Sequence, residues 1–129
     1  MTTDLDDYTQ SVESVVAAER RRARPLGTDE RRELFARWME LNCDAAREME
    51  LAAIGIDAAG MRVSAKYLIE RQRYEGSAPL TGVPFTDSNG VERVYAINNS
   101  DSALLARWLH ARNPEMDIEL RASMYDEGA

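Results

Sequence analysis

Apolar side chains recur every three to four positions over much of this chain, and that spacing divides it into helices. Leu5, Tyr8, Val12, Val15 and Val16 mark an amphipathic helix over residues 4–24, with Asp4, Asp6 and Asp7 at its positive dipole end. The run Arg20–Arg24 lies at its negative end, and Pro25 and Gly27 stop it. A longer stripe follows: Leu34, Phe35, Trp38, Leu41, Ala45, Met49, Ala52, Ala53 and Ile56. It predicts one unbroken helix over residues 28–56, capped by Thr28, with Asp29 and Glu30 in its first turn. Trp38, Leu41, Ala45 and Met49 are expected to pack against Leu68 and Trp108.

Ser64 is the next cap and Gly76 the next stop, so Ser64–Tyr74 reads as a helix that buries Ala65, Leu68 and Ile69. The period then changes to two across VPFTDSNGVERVYAIN, and Asn89-Gly90 marks a hairpin turn. A two-residue turn would set Asp87 opposite Glu92, an unfavourable like-charge pair. A three-residue loop, Ser88 to a left-handed Gly90, instead gathers Val83, Phe85, Val91, Tyr95 and Ile97 on one face. It also brings Arg93 to Asp87, and it is the predicted register.

A fourth helix, capped by Asn99 or Ser100, carries Leu104, Leu105, Trp108 and Leu109 inward and ends at Asn113-Pro114. Asn98 and Asn99 suit capping roles between strand and helix. Met116, Ile118 and Leu120 alternate, as a short closing strand would. The fold expected is α+β and mostly helical: four helices with a β-hairpin, winged-helix-like, and a short C-terminal strand. Residues 1–27 form its N-terminal helix, 28–124 a single domain and 125–129 a frayed tail.

Composition narrows the function classes. The chain has 129 residues and a formal charge of −7. No apolar run approaches the ~20 residues of a membrane span, and the acidic start MTTDLDDY is unlike a signal peptide, which points to the cytoplasm. Cys43 is the lone cysteine, placed by its helical context as a buried or half-buried thiol, and His110 is the lone histidine. Neither zinc ligation nor a Ser-His-Asp constellation fits that inventory, and no Gly-rich phosphate loop follows a strand. The expectation is a protein without catalytic residues, metal or cofactor.

Charge is uneven along the chain. Residues 28–59 sum to −4 and residues 98–129 to −3, whereas residues 60–97 sum to +1. At 100° per residue, Arg62, Lys66 and Arg73 fall within a narrow stripe of the Ser64–Tyr74 helix. With Arg93 of the hairpin they are the candidate nucleic-acid contacts. Glu40, Asp44 and Glu48 are the candidates for an opposite role, an acidic surface that binds a protein partner. The Leu5, Tyr8, Val12, Val15 seam is a candidate for homodimerisation.

The order helix, sharp turn, Ser-capped helix, hairpin over residues 40–97 resembles a winged helix-turn-helix. That resemblance implies a second helix in the major groove and a wing, DSNG at its tip, on the backbone. A second resemblance covers most of residues 42–122. Ser64-Ala65, Arg73-Tyr74, Ile97-Asn98-Asn99, Ala106-Arg107 and Asn113-Pro114 stand where small uncharacterised proteins of phages and other mobile elements carry similar pairs. It implies a viral or prophage context. Two functions follow: a small nucleic-acid-binding regulator, or an acidic inhibitor or adaptor such as an anti-CRISPR or other anti-defence protein. Salt-dependent binding of duplex DNA separates them.

Overall fold

A computed structural model of the chain describes residues 26–120. The expected N-terminal helix, its dimer seam, the Arg20–Arg24 run and the frayed tail lie outside the described residues. The remainder is α+β. Four helices, α1 (Thr28–Leu41), α2 (Cys43–Ala58), α3 (Ala65–Glu75) and α4 (Ser102–Arg112), accompany an antiparallel hairpin of β1 (Val83–Thr86) and β2 (Glu92–Tyr95).

The helix expected over residues 28–56 is two helices. Asn42 separates them with φ −114° and ψ 46°, outside the helical basin. Its buried side chain gives the break its reason. The amide nitrogen donates to the carbonyls of Trp38 and Thr81, both at 2.9 Å, and the oxygen accepts from the Thr81 N–H at 2.7 Å. An asparagine that satisfies both polar groups of a distant loop residue favours the bent backbone over a continued helix. The buried arc itself passes through Asn42, in phase with Phe35, Trp38, Ala45, Met49 and Ala53. Trp38 is 1% exposed and Met49 equally buried, as expected, but Leu41 is 53% exposed. Cys43, the first residue of α2, is exposed as well, contrary to its expected burial. At the other end, Gly27 occupies the cap position of α1 and Thr28 is its first helical residue.

The core takes Leu34, Phe35 and Trp38 from α1, and Ala45, Met49 and Ala53 from α2. Leu68 and Ile69 of α3 and Leu105 and Leu109 of α4 complete it, with Trp108 half-buried at its edge. Small residues on α2 let its neighbours approach closely, and the larger side chains of α1, α3 and α4 fill the space.

Local chemistry sets α3. The Ser64 hydroxyl accepts the Tyr67 N–H at 3.2 Å, the expected cap. At its far end Gln72 is buried and donates to Glu48 of α2 at 2.8 Å, while the Ser77 N–H and hydroxyl donate to the same carboxylate. Gly76 makes that latch possible, since a Cβ there would stand 2.4 Å from the Gln72 amide nitrogen.

The hairpin has the predicted register. Val83 pairs with Tyr95 and Thr86 with Glu92, so Asp87 meets Val91 across a Ser88–Gly90 loop. Gly90 has φ +77°, the left-handed region that favours glycine. One Asp87 oxygen accepts the N–H groups of Asn89 and Val91, at 2.9 and 3.0 Å, and the other lies 3.7 Å from Arg93.

Two expectations at the C-terminal side change. Asn98, not Asn99 or Ser100, caps the last helical segment. It accepts the Ser100 N–H, while Asp101 reaches back to the Asn98 N–H, over a 3₁₀ turn (Asn99–Asp101) that leads into α4. In place of a closing strand there is a single parallel bridge between Val63 and Ile118. Val63 therefore bridges to the C-terminal segment.

Candidate nucleic-acid interface

Helix α3 divides cleanly. Ala65, Leu68, Ile69 and Gln72 are buried, and the opposite arc carries Lys66, Tyr67, Arg73 and Tyr74, all exposed, with Glu70 and Arg71 half-exposed. Tyr74 is 80% exposed, unusual for a large aromatic side chain. Glu70, the acidic group in the middle of this arc, accepts a hydrogen bond from the Asn99 amide at 3.1 Å. The outward surface of α3 is thus cationic and aromatic in a chain that is acidic as a whole.

The four cations chosen from the sequence fall into separate places. Arg62 precedes α3 and lies 3.7 Å from Asp117, which partly neutralises it. Lys66 stands at the start of the helix. Arg73 stands at its end, seven residues or about 10 Å further on. It shares a groove with Arg93 of β2, and a third cation enters that groove from the first turns of α1: Arg31. Leu26, Phe85 and the backbone from Val94 to Asn98 complete the lining.

Each groove arginine is held differently. Arg93 lies over the Phe85 ring, 5.5 Å from its centroid, with Asp87 behind it. Arg31 Nε lies 3.3 Å from a carboxylate oxygen of Asp101, an ion-pair distance at an angle that makes no hydrogen bond. Asp101 is fully buried, and burial pushes its carboxyl above the usual aspartate range; the Asn98 N–H, Tyr95 and Arg31 oppose that shift. Arg73 stacks loosely on Tyr74, at 5.8 Å, and has no carboxylate partner among the described residues.

The acidic candidates also separate. Glu40 and Asp44 are exposed and line a groove with Phe35, Met39 and Trp108. Glu48 faces away from it, committed to the Ser77–Gln72 latch. The hydrogen bond from the Ser77 hydroxyl, then that from Gln72, holds its carboxyl below the usual glutamate range. A neighbour the sequence did not single out, Glu50, is clamped by Arg112 at 2.8 and 3.2 Å and by Asn113 at 3.0 Å, and Arg112 lies over the Trp108 ring. Its carboxyl is likewise held low, first by the Arg112 hydrogen bond.

Arg31, Tyr67 and Tyr74 are the surface residues that sequence reasoning missed. Arg31 sits in a helix turn with ordinary polar periodicity, and only the packing of α1 against the hairpin brings it to Arg73 and Arg93. The two tyrosines had a signal, their seven-residue spacing, two helical turns, opposite Ala65, Leu68 and Ile69.

Among the described residues no group of His, Cys, Asp and Glu is placed to hold a metal, and no helix is long and apolar enough to cross a membrane. No family model matches the chain, and no curated protein or solved structure matches it.

Proposed function

We propose that this chain is a small nucleic-acid-binding regulator, of phage or mobile-element origin, that applies the outer face of α3 to the phosphate backbone. The observation that carries the reading is the concentration of Lys66, Arg71 and Arg73 with two exposed tyrosines on one helix face, with Glu70 drawn aside by Asn99. Cations on a helix supply sequence-independent affinity through phosphate, and aromatic side chains offer planes for unstacked bases. Arg93, on β2 one pair from the turn, lines a groove with Arg73 at the same helix end.

The test is binding of duplex and single-stranded DNA across a salt series. A protein that neutralises three or four phosphates should lose about 40- to 150-fold in affinity between 50 and 200 mM salt. Lys66→Glu combined with Arg73→Glu should weaken all sequences alike and flatten that dependence, with the fold intact because both side chains are exposed. Absence of binding by the unaltered protein at low salt overturns the reading.

A second reading rests on a different observation. Glu40 and Asp44 rim a groove whose floor is Phe35, Met39 and Trp108, with Arg47 and the Glu50–Arg112 pair also along its wall, and the apolar floor beside two exposed carboxylates suits a basic protein segment. On this reading the chain is an acidic inhibitor or adaptor of the anti-defence kind. Reversal of Glu40 and Asp44 to lysine would abolish capture of a host protein, whereas Lys66→Glu would leave it unchanged.

A further inference from the structure

Three arginines from three separate elements reach one groove: Arg31 from α1, Arg73 from the end of α3 and Arg93 from β2. No carboxylate is among the described residues that line it, in a chain with seven more acidic than basic groups. Asp101 and Asp87 lie behind Arg31 and Arg93, so three guanidinium groups face two carboxylates and leave a formal surplus of one positive charge. Both aspartates do more than neutralise. Asp101 is buried and Asp87 is fixed by the hairpin loop, so each holds its arginine in place at the groove. Among the described residues Arg73 is the uncompensated member.

We propose that this groove binds a phosphate monoester, its peripheral oxygens taken by Arg73, Arg93 and Arg31. A planar carboxylate has two oxygens and is satisfied by one guanidinium fork. Arginines from three separate elements along one groove can offer separate forks to a tetrahedral group with three free oxygens and a double negative charge. The volume, about 340 Å³, exceeds what a phosphate alone would fill. The apolar surface of Leu26, Phe85 and Ile97 is where the esterified group would lie. The site goes beyond the backbone-contact reading above, since it takes a terminal or free phosphate and needs no duplex. Such a phosphate comes either from a nucleotide or from the 5′ end of a strand.

The experiment is calorimetric titration of the full chain at low salt with five probes: a nucleoside, its 5′-monophosphate, a short single strand with a 5′-phosphate, the same strand with a 5′-hydroxyl, and succinate. The two phosphorylated probes are expected to bind at least tenfold more tightly than their unphosphorylated counterparts, and succinate no better than the latter. Arg73→Gln should remove most of that difference without moving the thermal midpoint, because Arg73 is exposed and has no carboxylate partner among the described residues. Arg93→Gln should reduce it as well. Equal affinity for the monophosphate and the phosphorylated strand identifies the phosphate group itself as the ligand; preference for the strand identifies a 5′ end. Undiminished phosphate binding by Arg73→Gln, equal binding of succinate, or no phosphate-dependent binding by the native chain overturns the proposal. Lys66→Glu lies outside the groove and reports only on the duplex reading. Loss of duplex binding in that variant with the phosphate preference retained keeps the two ideas apart.

Discussion

Two interruptions of regular structure, one at Asn42 and one at Asp87, rest on the same chemistry at very different range. Asp87 holds the N–H groups of Asn89 and Val91, two and four residues away, and so closes the loop it begins. Asn42 holds Thr81, thirty-nine residues away. One side chain serves a turn already implied by its neighbours, and the other pins two helices to a loop that follows α3. The first bend belongs to the segment, and the second to the assembled core. Damage at Asn42 should therefore spread through the molecule, while damage at the hairpin should stay local.

The largest effect that sharpens this contrast is expected at Trp38, whose carbonyl accepts the Asn42 amide and whose ring is fully buried. Trp38→Ala should destabilise by about 3–5 kcal/mol, read as a shift in denaturant midpoint. Asn42→Ala comes next. It strands the N–H and C=O of Thr81 at a part-buried site, and a loss of about 2–3 kcal/mol is expected. Accelerated hydrogen exchange at both ends of the 42–81 connection should accompany it. If Asn42→Ala proves neutral, the bend is set by packing alone and the contrast fails.

Gly90→Val tests the local side. A β-branched residue at φ +77° costs about 1–2 kcal/mol in backbone strain, and no neighbour within 4 Å adds a clash. Asn89→Ala keeps its backbone N–H on Asp87 and should stay within about 0.5 kcal/mol of the native protein. Equal tolerance at the two positions would sink the left-handed Gly90 as the element that fixes the loop.

The smallest effect is a pH dependence. Glu48 titrates below the usual glutamate value when folded, so its contribution is complete above the unfolded pKa. That contribution fades as pH falls through the lowered one. Glu48→Gln should flatten the acid limb of the stability curve in that window. Asp101 has the opposite sign: its raised carboxyl favours the fold more as pH falls. An acid limb unchanged by Glu48→Gln would mean that the latch at Ser77 carries no linkage.

The same distinction of range explains what the sequence disclosed. Hairpin register, the Ser64 cap, the buried face of α3 and the burial of Trp38 depend on residues within a few positions, and were legible. The Asn42 break was not, because a periodic apolar stripe runs through it and its partner is the Thr81 backbone, which has no sequence signature. Leu41 and Cys43 were misplaced for a different reason: each stands about 100° around the helix from Asn42, outside the buried arc of Phe35, Trp38, Asn42, Ala45 and Met49. The candidate site divides likewise. Lys66 and Arg73 follow from helical spacing, whereas Arg31 joins Arg73 and Arg93 only through tertiary packing, and Glu48 looked free because its donors lie on another element.

The bridge between Val63 and Ile118 has a consequence for synthesis. Val63 donates its N–H to the Asp117 carbonyl at 2.9 Å, just before the cap of α3. During translation, α1, α2, α3 and the hairpin leave the ribosome well before residues 117 and 118, so the entry to α3 waits without its partner. Over that interval the nascent chain holds an incomplete core, and the last contact to close is one of the longest in sequence. A ribosome stalled before Asp117 would display a partly formed domain, and one stalled on a C-terminal extension long enough to bring Ile118 out of the exit tunnel a closed one.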